Sequence, residues 1–192
     1  MSAADSALAL PHSARSSRTA HLARSLAPSR DFATRLRHDV TRPIEFEKNY
    51  VPTVGAEVCP VELLTQHGKM VFNMWDTEGE GAALADAFYI QADCAIIMFD
   101  VTNPASYESV PKWHSHLVRV CENIPIALVG NKVDREDRKV KARHINFHRE
   151  HNLAYYDISL TVEKPFNFEM PLLYLARKLT RIPDLIFTGA PA

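Results

Sequence analysis

Two short runs in the sequence hold residue types and spacings that can do chemistry: Asp76-Thr77-Glu78-Gly79 and Asn131-Lys132-Val133-Asp134. In the second, the Asp134 carboxylate can accept two hydrogen bonds, from the ring N1–H and the exocyclic amine of guanine. Adenine offers no such pair, so one carboxylate is enough to choose between the purines. The Lys132 stem can lie along the face of the base, and the Asn131 amide can tie neighbouring loops together. In the first run, Asp76 can orient a water on Mg2+, and the Gly79 backbone N–H can meet a terminal phosphate. Each tetrapeptide alone is common, and residues 131–134 alone also read as a plain turn. Their order and spacing, each just past an apolar strand, point to a guanine-nucleotide-binding domain.

The elements that must position these residues are legible from about residue 45 onward. Short apolar runs at 58–65, 70–76, 94–101, 124–130 and 153–158 read as strands. The runs at 94–101 and 124–130 are almost continuously hydrophobic, as strands covered on both faces are. Between them, 110–122, 141–151 and 167–180 have helical periodicity, with Pro111 in a first turn and Asn167 as an N-cap. Alternating strands and helices predict an α/β domain with a mostly parallel sheet and helices on both faces. Ligands of such sheets sit beyond the carboxyl ends of the strands, where both tetrapeptides lie.

The glycines impose a limit. There are six in 192 residues, at 55, 68, 79, 81, 130 and 189, so none falls in the first 54. A phosphate-cradling G-x-x-x-x-G-K-[ST] loop needs two glycines five apart. No pair has that spacing, and the only Gly-Lys step is Gly68-Lys69. No Walker A loop exists in the sequence. Net charge is −1 overall, but residues 1–38 hold six Arg against two Asp, a net of +4 that leaves −5 for the remainder. This Arg-, Ser- and Ala-rich segment reads as an unordered leader or as an organelle transit peptide. Asp5 and Asp31 favour the leader. Cys59, Cys94 and Cys121 are odd in number and widely spaced, which predicts free thiols in a reducing compartment. No apolar run approaches a membrane span, and no C-a-a-X signal is present, so a soluble, unanchored protein is expected.

Residues 45–190 resemble the Ran family of small GTPases, which serves nuclear transport. The match is carried by the stretches at 45–53, 89–102, 113–126, 130–134, 137–142 and 155–159, the second and third being far more similar to Ran than to Ras or Rab proteins. The resemblance implies a small-GTPase (P-loop NTPase) fold for residues 39–192, GTP/GDP and Mg2+ as ligands, and both nucleus and cytoplasm as locations. It implies importin- and exportin-type transport receptors and Ran regulators as partners, without membrane or nucleic acid. By the same resemblance, Thr53 matches the switch I threonine on Mg2+, joined in the metal shell by Asp76. Phe46, Glu47, Lys48, Asn49, Tyr50, Val51 and Pro52 match the loop over the nucleotide. Gly79 starts switch II. Asn131, Lys132, Val133 and Asp134 with Ser159, Leu160 and Thr161 surround the guanine, Leu160 through its backbone N–H. The basic stretch 135–149 matches the receptor-facing surface.

Several features depart from the family pattern. The first strand and the P-loop after it find no counterpart, which leaves the domain incomplete at its N-terminus. Losing about five charge-assisted bonds of roughly 1.5–3 kcal/mol each removes on the order of 10 kcal/mol. That turns a nanomolar site into one weaker than ~1 mM. Without a first strand, the strands at 70–76 and 94–101 would face each other across a gap with unpaired edges. Residues 7–10 are the one apolar patch in the leader, and they lack β-branched residues. The switch II Gln is replaced by Glu80, which would repel a γ-phosphate, so GTPase catalysis is in question. Thr161 stands where the family has a lysine stem, and no acidic tail follows Phe187. The alternatives to a nucleotide-binding protein are a non-catalytic module engaging receptors or exchange factors, and a degenerate truncated copy. His144, His148 and His151 could share a helical face, with His114 and His116 nearby, but surface histidines are the better reading than a metal site.

Overall fold

The structure, a computed structural model, describes residues 18–24, 56–77, 89–161 and 165–189. Its centre is a seven-stranded sheet in the order β6-β5-β4-β1-β3-β2-β7. The strands are β1 (Arg18–Arg24), β2 (Ala56–Thr65), β3 (Gly68–Thr77), β4 (Cys94–Asp100), β5 (Ile126–Asn131), β6 (Ala154–Asp157) and β7 (Phe187–Gly189). The described helices are α1 (Pro104–Glu108), α2 (Val110–Cys121), α3 (Phe147–Glu150) and α4 (Met170–Thr180). β1, β3, β4, β5 and β6 run parallel, and β2 pairs antiparallel with both β3 and β7.

β4 and β5 explain why the sheet is two-sided. Every residue of both strands is buried, and successive side chains point to opposite faces. Ala95, Ile97, Phe99 and Leu128 pack on one face with Val110, Trp113 and Leu117 of α2. Ile96, Met98 and Val129 pack on the other with Leu172, Leu175 and Ala176 of α4. Each helix offers an apolar stripe at the spacing the sequence showed. β2 and β3 join through Gln66 and His67. Gly68 there has φ 114°, a conformation that favours glycine. The only Gly-Lys step of the chain is thus a hairpin turn, closed by Thr65 Oγ1, which donates to the Gly68 carbonyl at 2.8 Å.

One expectation about the sheet is overturned. β1 occupies the slot between β3 and β4, parallel to both. Arg18 to Leu22 pair with Phe72 to Asp76, and Ala20 to Arg24 pair with Cys94 to Met98. The fold does not lack a first strand, and no gap divides the sheet. Residues 7–10, considered as a substitute, lie outside the described residues. The sequence Arg-Thr-Ala-His-Leu-Ala-Arg has low β-propensity, yet two flanking strands each present a row of backbone donors and acceptors. Satisfying both ladders outweighs local preference.

Smaller differences have equally local causes. The expected helix at 141–151 is split into a 3-10 turn at Ala142–His144 and the short α3, because the chain leaves helical geometry at Ile145 (ψ 87°). The side chain of Ile145 is buried in the core instead. Asn167 does not cap α4. It takes a left-handed φ of 51°, and Glu169 is the N-cap residue without a side-chain bond. Cys94 is buried, and Cys121 is half-buried with its thiol donating to the Tyr89 carbonyl at 3.0 Å. Burial raises the pKa of Cys121. No helix among the described residues is long and apolar enough to cross a membrane.

Candidate functional site

Three parallel strands, β4, β5 and β6, end side by side, with Asp100 opposite Asn131 and Gly130 opposite Asp157. The residues beyond these ends form the site. Val101 N–H donates to the Asn131 carbonyl at 3.0 Å, and Ile158 N–H donates to the Gly130 carbonyl at 2.8 Å, so the exiting loops are laced together by backbone. Asn131 is buried, and its Oδ1 accepts from the Lys132 N–H at 2.7 Å. That bond holds Lys132 at φ 69°, an uncommon left-handed conformation for a side-chain-bearing residue. Strain of this kind persists only where the surroundings over-determine it.

The Lys132 ammonium lies 2.5 Å from Asp100 Oδ2. Asp100 is itself buried, and its other oxygen accepts from the N–H and Oγ1 of Thr102 at 2.8 and 2.7 Å. On the far side of the loop, Ser159 is fully buried and donates to Asp134 Oδ1 at 2.6 Å. Ser159 Oγ also meets Thr161 Oγ1 at 3.0 Å. A hydrogen bond to an ionised carboxylate contributes about 1.5–3 kcal/mol. The Asp134 carboxylate is thereby fixed in place before any ligand arrives. The side chain of Leu160 is buried in the core, between two site residues.

Gly130 precedes this loop for a steric reason. A Cβ there would lie 2.6 Å from Tyr155 Oη and 3.1 Å from Asp157 Oδ1. Tyr155 donates to Asp157 Oδ1, and Arg138 grips the same carboxylate through two bonds, at 2.9 and 3.1 Å. Burial, then the bond to and charge of Asp157, push the Tyr155 hydroxyl far above its usual range, so it stays a donor. Asp100, Arg138, Tyr155 and Asp157 were not singled out from the sequence. Asp100 and Asp157 end β4 and β6, but residue type and position carry no information about which side chain each one meets.

The structure therefore brings together Asn131, Lys132, Val133, Asp134, Ser159, Leu160 and Thr161. Asp76 falls at the β3 end, paired with Leu22 of β1. Phe46 to Thr53, Gly79 and Glu80 lie outside the described residues. Among the described residues, no three carboxylate, imidazole or thiolate donors converge as a metal site. The histidines do not form one either. His114 lies tilted against His151 at 4.6 Å and edge-on to Phe147 at 5.2 Å, while His148 stacks on Tyr155 at 5.0 Å.

Compared with known protein families, residues 41–180 match the Ras family. The chain belongs to the Ras family. The match spans the hairpin, the loops after β5 and β6 and α4, and it begins after β1. Domains of the Ras family bind GTP or GDP with Mg2+, and the sheet and loop arrangement here is that of a Ras-like small GTPase domain.

Proposed function

We propose that this chain is a Ran-like guanine-nucleotide-binding protein of nucleocytoplasmic transport, with weakened phosphate binding and hydrolysis. The observation that carries the guanine reading is the Asp134 carboxylate held by buried Ser159 at 2.6 Å, beside the strained Lys132. A carboxylate fixed before ligand arrival loses little entropy on binding. The Ran-specific part is supported by the stretches at 89–102 and 113–126 and by the basic run at 135–149. It brings importin- and exportin-type receptors as partners, and nucleus and cytoplasm as locations. The absence of a Walker A loop and the replacement of Gln by Glu80 account for the weakening.

Amide shifts in 15N-labelled protein test the guanine reading. Titration with GDP to several times ~1 mM is expected to move the amides of Lys132 and Asp134, and ADP is expected to leave them unmoved. Equal response to both nucleotides sinks it. The second reading, a receptor-binding module that needs no nucleotide, is favoured by the same glycine-free segment after β1. It predicts capture of an importin-type receptor to the same extent with GDP, with GTP and with neither. A nucleotide-dependent capture counts against it. A cooperative thermal transition counts against a degenerate copy.

A further inference from the structure

We propose that the contact between α2 and the segment joining β5 to β6 is a proton-operated latch, in which charging His114 and His151 releases α3 while the sheet stays folded. The latch needs no nucleotide and stands apart from the guanine reading.

Its parts come from two elements that meet ring against ring. His114 of α2 lies tilted against His151, just past α3, and edge-on to Phe147. Phe147 is buried, with its ring 4.1 Å from that of His151. His148, on the same segment, stacks on Tyr155, and its Nδ1 is buried with no hydrogen-bond partner among the described residues. Neutral rings can share this seam, but two imidazolium ions 4.6 Å apart repel each other. A proton on His148 would add a buried charge without an answer. Burial and then His151 lower the pKa of His114, and burial and then Arg149 lower that of His148. The closed seam therefore binds protons less readily than the open one. Closure is favoured above about pH 6.5 and is lost as pH falls through the lowered values.

No counter-charge holds the seam together when it is protonated. Among the described residues no carboxylate pairs with His114, His148 or His151. Glu150 accepts from Asn146 Nδ2 at 2.8 Å, and the Asp157 carboxylate behind Tyr155 is gripped by Arg138. Arg149 adds a cation beside His148, Arg143 donates to His144 at 3.1 Å, and on α2 His116 lies edge-on to Trp113 at 6.2 Å. α3 is the part that gives way. It has four residues, too few to hold a helix alone. Beyond the rings, Tyr107 Oη ties it down by accepting from the N–H groups of Asn146 and Phe147 at 3.2 and 3.3 Å. α2, by contrast, has twelve residues with Val110, Trp113 and Leu117 buried.

Amide hydrogen exchange of the full chain, corrected for the intrinsic pH dependence of exchange, tests the latch at about pH 7.5 and about pH 5.5. Protection over residues 145–153 is expected to fall at least about fivefold at the lower pH, the ratio that matches two charges repelling at ~4 Å in water. Residues 126–131 of β5 are expected to keep theirs. Unchanged protection at 145–153, or an equal loss in β5, overturns the proposal. His151→Phe keeps a ring against His114 and Phe147 but cannot take a proton. It is expected to show a smaller fall, and a fall as large as in the unaltered chain overturns the pairing of His114 with His151 as the operator. His114→Gln removes the other half of the pair and is read by the same criterion.

Discussion

The carboxyl ends of β5 and β1 lie in the same sheet, separated by β4, yet they are built in opposite ways. Beyond β5 every exit is pinned: Asn131 to Lys132, Lys132 to Asp100, Asp134 to Ser159, and Gly130 lodged under Tyr155. β1 is held by backbone pairing to β3 and β4, and it leads into a segment without glycine. In parallel sheets the ligand site forms at such ends. A strand slot can be filled by almost any sequence that satisfies two ladders, whereas a binding loop demands particular side chains. Fold and site therefore tolerate divergence to different degrees.

The largest expected effect comes from giving β1 the loop it lacks. Replacing residues 25–32 by a Gly-x-x-x-x-Gly-Lys-Ser run should raise GTP affinity over guanosine. Even two restored bonds of about 1.5–3 kcal/mol each amount to roughly 100-fold. Unchanged relative affinity in a titration would show that β1 does not aim the following segment at the site. Next is Ala20→Pro, which removes a ladder N–H between Met74 and Cys94. Denaturant unfolding should register about 3 kcal/mol or somewhat less. Thr188→Pro on the edge strand β7 should stay within about 0.5 kcal/mol. Equal effects of the two prolines would remove β1 from the central slot.

Gly130→Ala follows, since its Cβ must displace a tyrosine ring already stacked on Phe99 and His148. Overpacking of this kind costs about 1–3 kcal/mol, readable in the unfolding midpoint. Ser159→Ala should cost about 1–2 kcal/mol and weaken guanosine binding, because Asp134 loses its anchor. A loss of stability without any change in binding would make Ser159 purely structural. The smallest effect is in pH. Burial and the neighbouring His151 lower the His114 pKa from 6.5, and burial followed by Arg149 lowers that of His148. The unfolded chain then binds protons first, so this stability is present above about pH 6.5 and is lost as pH falls through the lowered values. A modest drop in Tm between about pH 7 and 5, reduced in His114→Gln, is the expected result.

How far the sequence could be read depended on what each element needed. β4 and β5 were legible because burial on both faces leaves an unbroken apolar run. α2 was legible because its core stripe repeats at helical spacing. β1 was not, since its residues carry no strand signal and its stability comes from neighbours more than 40 residues away. The 3-10 turn and the displaced cap of α4 were also hidden, because a buried Ile145 and a left-handed Asn167 reflect tertiary fit. In the candidate site, Asn131, Lys132 and Asp134 were nominated from type and spacing, and the structure places them at the end of β5 and on the loop after it. Asp100 was missed because its partner Lys132 follows the neighbouring strand, and Arg138 because the loop after β5 meets Asp157 of β6 only in the folded chain.

What the sequence alone determined is chemical: the Asn131-Lys132-Val133-Asp134 run with its carboxylate, and no Walker A loop anywhere in the chain. Those follow from residue identity and local spacing, which folding does not alter. The tertiary structure decided whether the sheet is whole and which groups are already spent. β1 closes the sheet because backbone pairing is indifferent to side chains. Lys132 is bound to Asp100 because two strands end in register.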